Sequence, residues 1–128
     1  MAEKSAQTIF IVEDDQDLNG AYHMILESSG YDVTVAFNGK EALEKLSSMV
    51  EPPRIIFLDL RMPVLDGIGF LKEYNAPAHP ETTVVVFSNY DAQKEVDEAY
   101  ELGASRYVLK ARATPNELVR IVRDIMSD

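Results

Sequence analysis

The sequence predicts an α/β fold: one doubly wound parallel sheet of five strands with five helices around it. Three observations predict it. Five short apolar runs alternate with segments whose apolar residues recur at the helical period. Three of those runs are nearly continuous in Val, Ile, Leu and Phe, as strands covered on both faces are. The length of 128 residues suits a single core.

The elements follow in order. Thr8 to Val12 (TIFIV) reads as the first strand. Leu18, Ala21, Tyr22, Ile25 and Leu26 then fall on one helical stripe, and Gly30 stands where that helix needs a left-handed residue to end. Asp32 to Phe37 (DVTVAF) is the second strand. Asn38 and Glu41 form a cap for a helix striped by Ala42, Leu43, Leu46, Met49 and Val50. Arg54 to Leu58 (RIIFL) is the third strand, and Ile68 to Tyr74 a short helix behind Asp66 and Gly67, which read as turn and cap. Asn75 to Thr83 is a loop leading to the fourth strand, Thr83 to Ser88 (TVVVFS). Ala92, Val96 and Ala99 mark a fourth helix dense in acids, closed at Gly103. Arg106 to Leu109 (RYVL) is the fifth strand. Thr114 to Glu117 (TPNE) is a capping box with Pro at the first helical position, opening a helix striped by Leu118, Ile121, Val122, Ile125 and Met126. No repeat or linker interrupts the pattern, so residues 1–128 are expected to form one domain. Alternating strands and helices give a parallel sheet, and the common order at this size is 2-1-3-4-5, the flavodoxin-like arrangement. Ligands in such sheets bind at the carboxyl ends of strands 1 and 3, where the winding reverses.

Composition narrows the function. There is no cysteine, which excludes disulfides, thiolate chemistry and Cys-based zinc sites. The net charge of −10 argues against nucleic acid as a direct partner, because phosphate backbones need a basic face. The start, MAEKSAQ, lacks the layout of a secretory signal, and no apolar run reaches the length of a membrane span. A soluble, cytoplasmic protein is expected.

Acids mark the switch point. Glu13, Asp14, Asp15 and Asp17 follow the first strand, and Asp59 follows the third. If the strand order holds, at least three carboxylates crowd one crevice, which requires a proton or a cation. Oxygen ligands without His or Cys suit Mg²⁺. An acidic loop repels a bare phosphate, so a flavin or nucleotide cradle is disfavoured. Ser88 after strand 4 and Lys110 after strand 5 share the same rim. With a metal they complete a trap for phosphoryl oxygens, and Asp59 becomes the nucleophile that forms an acyl phosphate. Plainer roles compete: one of Asp14, Asp15 and Asp17 caps the first helix, Ser88 merely ends a strand, Lys110 is solvated, and Tyr107 is packing. His23 and His79 read as a helix-face and a loop residue.

Taken together, IVEDD, DLRMPVLDG, Ser88 and YVLK resemble a response-regulator receiver domain of two-component signalling, over essentially the whole chain. The resemblance implies that Glu13 and Asp14 hold Mg²⁺ with Asp59 and the Arg61 backbone carbonyl. It implies that Asp59 takes a phosphoryl group from a sensor histidine kinase or a histidine phosphotransfer protein, without enzymatic turnover of other substrates. Ser88 and Tyr107 resemble the switch pair, and the helix 4–strand 5–helix 5 face would report the state to a partner. The chain departs from the pattern at Ala111, where the family usually has Pro after the Lys, and at Asn89, where it has a small residue. A cis bond before Ala costs roughly 2.5–4 kcal/mol, so either the Lys110–Ala111 bond is trans or its context holds the strain, and the sequence leaves both open. Arg61 and Tyr90 occupy positions that resemble the family's tuners of dephosphorylation, and their bulk would screen the phosphoryl group from water. Two rival readings remain: a receiver-like interaction module that takes no phosphate, motivated by Ala111 and Asn89, and a Mg²⁺-dependent aspartyl-phosphate phosphatase. The latter wants a second acid two residues after the nucleophile, where this chain has Arg61.

Overall fold

The computed structural model describes residues 8–127; MAEKSAQ, read above for its lack of a secretory layout, lies outside the described residues. Strands and helices alternate: β1 (Thr8–Val12), α1 (Gln16–Ser28), β2 (Asp32–Ala36), α2 (Gly39–Ser48), β3 (Ile55–Asp59), α3 (Gly67–Tyr74), β4 (Thr83–Ser88), α4 (Gln93–Glu101), β5 (Arg106–Leu109) and α5 (Pro115–Met126). The five strands form one parallel sheet in the order β2-β1-β3-β4-β5. This is the expected α/β flavodoxin-like architecture.

The continuous apolar strands have a direct structural reason. Successive side chains point to opposite faces, and both faces are covered. Phe10, Val12, Ile56, Leu58, Val84 and Val86 meet α2, α3 and α4 on one side. Ile9, Ile11, Ile55, Phe57, Val85 and Phe87 meet α1 and α5 on the other. Every residue of β3 is buried. No helix among the described residues is long and apolar enough to cross a membrane.

Boundaries differ from the expectation in four places. Strand β3 includes Asp59, which pairs with Phe87 of β4, and leaves out Arg54. Strand β2 stops at Ala36, because Phe37 N–H is taken by the Glu41 carboxylate at 2.8 Å. Helix α2 stops at Ser48, so Met49 and Val50 do not continue its stripe; Met49 is extended and Val50 is 97% exposed. Pro52 and Pro53 follow and prevent the helix from running on. The loop after α3 contains a 3-10 turn, Ala76–Ala78.

The caps fall as expected. Asp15, Asn38, Asp66 and Thr114 each accept a backbone N–H in the first turn of α1, α2, α3 and α5. Gly30 and Gly103 carry φ of +100° and +111° after α1 and α4. The peptide bonds of the described residues are all trans, including Lys110–Ala111.

Candidate functional site

The strand order brings the ends of β1 and β3 together, and the acids with them. Glu13 follows β1 directly and is fully buried; its N–H bonds to the Ala36 carbonyl at 3.1 Å. Asp14 is next and reaches solvent. Asp59 ends β3 and is 2% exposed. Carboxylate oxygens of Glu13, Asp14 and Asp59 all lie within 4.8 Å of one another. Asp15 turns away to cap α1 through Leu18 N–H at 3.1 Å, so the loop divides its acids between capping and the crevice.

Lys110 enters from the end of β5. Its ammonium donates to Asp59 Oδ2 at 2.6 Å and to Glu13 Oε2 at 3.2 Å. Three carboxylates face one ammonium, a formal charge of −2. Burial, followed by the charge of Asp59, pushes the Glu13 carboxyl up to about 7. Burial also raises Asp59, although the hydrogen bond and charge of Lys110 pull it the other way. Burial alone would lower Lys110, but the hydrogen bonds and negative charges of Asp59 and Glu13 together outweigh it and raise the ammonium above its ordinary value, so the amine stays charged well above neutral pH.

Three buried polar atoms in this region have no partner among the described residues: Glu13 Oε1, Asn19 Oδ1 and Ser88 Oγ. Leaving such groups unpaired is costly, and in native proteins they mark a place where something else binds. Three acids against one ammonium, hard oxygen donors and an orphaned carboxylate oxygen fit a small divalent cation, and Mg²⁺ in particular, which would displace the proton that burial otherwise holds on Glu13. Ser88 and Lys110 line a groove of about 400 Å³ that also includes Asn89, Tyr90 and Ala111.

The remaining named residues divide between the surroundings of Asp59 and more distant surfaces. The Arg61 N–H donates to Asp59 Oδ1 at 3.3 Å. The Arg61 guanidinium is drawn to α4, to Glu95 at 2.9 Å and Asp91 at 3.6 Å. Tyr90 is 90% exposed. Tyr107 is turned outward, edge-on to Tyr100 with ring centroids 6.3 Å apart. His23 pairs with Glu27 on α1, and His79 stacks on Tyr74, both away from the acids.

Two supporting residues escaped the sequence reading. Asn19 is buried and its amide donates to the carbonyls of Glu13 at 2.9 Å and Ala36 at 3.1 Å, tying the acidic loop to β2. Tyr22 was read only as part of an apolar stripe. The buried face of α1 in fact runs Asn19, Tyr22, Leu26; a polar residue at an inward helical position was the available signal.

Comparison with known proteins agrees with this geometry. The family model for the response regulator receiver domain matches residues 9–123. The transcriptional regulatory protein CrdR of Helicobacter pylori is 35% identical over 102 residues, covering 80% of this chain and 47% of that protein. The transcriptional regulatory protein CssR of Bacillus subtilis is 32% identical over 119 residues, covering 93% of this chain and 51% of that protein. The chain thus spans about half the length of these curated relatives. A CheY-like receiver domain protein from Methanospirillum hungatei superposes with a TM-score of 0.83 at 23% identity, covering 94% of each chain, which supports the fold. This chain belongs to the response regulator receiver domain family of two-component signalling.

Proposed function

We propose that this domain is a phosphoacceptor switch in which Asp59 receives a phosphoryl group from a sensor histidine kinase or a histidine phosphotransfer protein. The observation that carries this reading is the Lys110 ammonium 2.6 Å from a buried Asp59, beside two further carboxylates and the unpartnered Ser88 hydroxyl.

Glu13, Asp14, Asp59 and the Arg61 carbonyl would hold Mg²⁺, which when bound neutralises phosphoryl oxygen charge as it approaches the acids. Asp59 supplies the nucleophile. Its carboxylate oxygen forms a bond to phosphorus while the P–N bond of the phosphohistidine breaks. The imidazole leaves with the electron pair and recovers a proton from solvent. Lys110 is already charged and in place to stabilise one phosphoryl oxygen, and the Ser88 hydroxyl donates to another. Ser88 turning toward the phosphoryl group draws Tyr107 inward from its outward position, and the α4–β5–α5 face changes for a protein partner. Nucleic acid is not a direct partner of this acidic domain. Arg61 and Tyr90 at the mouth slow hydrolysis, so Arg61→Asn is expected to shorten the lifetime of the acyl phosphate.

The test is incubation with acetyl phosphate and Mg²⁺, read by intact mass for wild type and Asp59→Ala. A stable gain of one phosphoryl group, absent in Asp59→Ala, supports the switch. No gain favours a receiver-like module that takes no phosphate. Continuous phosphate release over many turnovers favours a phosphatase.

A further inference from the structure

Tyr22 has no part in the reaction above, yet its side chain ends at the loop that carries Lys110. It is fully buried on α1, and its ring packs 5.6 Å from that of Phe87, the neighbour of Ser88. Its hydroxyl donates to the Ala113 carbonyl at 2.5 Å, across 91 residues of chain. The Ala113 N–H in turn donates to the Lys110 carbonyl at 3.1 Å, closing a 3-10 turn over Lys110–Arg112. That turn contains no Pro and no side-chain cap. Its internal restraint is the backbone bond from Ala113 to Lys110, so the position of Ala113 bears on where the Lys110 side chain begins.

A phenol hydroxyl in a buried stripe is costly unless it is bonded. Phe would fill the same space without that cost. Burial, then the negative charges of Glu13 and Asp59, raise the phenol above its ordinary range, so it remains a donor at neutral pH. A continuous hydrogen-bonded path therefore runs from α1 through Ala113 to Lys110, and from the Lys110 ammonium to Asp59 and Glu13.

We propose that Tyr22 is a positioning residue for phosphoryl transfer: its hydroxyl anchors the Lys110–Ala113 turn to α1 and thereby aims the Lys110 ammonium at Asp59. The inference rests on the role given to Lys110 above, and its test separates the two.

Tyr22→Phe keeps the ring against Phe87 and removes one O–H. The first readout needs no activity: acetylation of lysines by an activated ester, followed by peptide mass spectrometry. Labelling of Lys110 is expected to rise roughly five-fold, the factor that one hydrogen bond's net free energy permits, while Lys40 and Lys94 stay unchanged. The second readout is the phosphorylation rate with acetyl phosphate, expected to fall by a similar factor. In a Lys110→Ala background Tyr22→Phe is expected to change that rate no further, because both substitutions act through one ammonium; a general structural defect would add to it. Unchanged Lys110 labelling overturns the inference. So does an equal rise at all three lysines, which reports loosening of the whole domain. If wild type takes no phosphoryl group, the proposed function fails, while the labelling ratio still decides the role of Tyr22.

Discussion

Glu13 shows how a single residue records the strain of the site. The unfolded chain releases its proton near the ordinary 4.5, whereas the folded, metal-free protein holds it to about 7. Across that window the folded state binds more protons than the unfolded one. The contribution of Glu13 to metal-free stability is therefore full below pH 4.5, falls as pH rises, and is lost above about 7. The loss is on the order of 3 kcal/mol. Thermal unfolding in chelator across this range is expected to show it, and Glu13→Gln to reduce it, leaving the smaller part that the raised Asp59 contributes with the same sign. A second strained residue is Val64, a β-branched side chain at φ 70° and 74% exposed. Left-handed geometry costs such a residue about 1–2 kcal/mol, and Gly gives back about 0.5–1 in chain entropy. Val64→Gly is expected to raise stability by up to about 1 kcal/mol in urea unfolding.

At the scale of elements, the site depends on turns that bring strand ends under helix starts. Gly67 begins α3 directly over Asp59; a Cβ there would lie 2.7 Å from the Asp59 carbonyl oxygen and from Leu60 Cα. Gly67→Ala is expected to cost on the order of 1–3 kcal/mol and to slow phosphoryl uptake, since the clash is with backbone that has no room to yield. Urea unfolding and the mass assay check the two effects. The same scale explains what was legible in advance. Period-3.6 stripes, caps and apolar runs are local, so all ten elements were readable from neighbours in sequence. Acids after β1 and β3 were readable because strand order alone makes them meet. The end of α2 was misread because Met49 and Val50 keep the apolar period while Pro52 and Pro53 stop the helix. Asn19 and Tyr22 were missed as supports because their partners, the carbonyls of Ala36 and Ala113, are distant in sequence and leave no local pattern.

For the whole molecule, no single element owns the site. Glu13 and Asp14 come from the end of β1, Asp59 from β3, Ser88 from β4 and Lys110 from beyond β5, all on the carboxyl edge of one sheet. A cation bound there would link elements that the two apolar layers already hold, and would stabilise the folded state that assembles its ligands. At one hundred times its dissociation constant such a ligand stabilises by about 2.7 kcal/mol. If the carboxylates after β1 and β3 converge on a divalent ion and leave an Asp59 oxygen free to react, the metal-free domain binds Mg²⁺ at one site. Calorimetric titration of the metal-free domain with Mg²⁺ tests it most directly. One site is expected, weakened at least about ten-fold in Asp14→Asn by loss of a charged ligand. No binding in wild type, or equal affinity in Asp14→Asn, would contradict it.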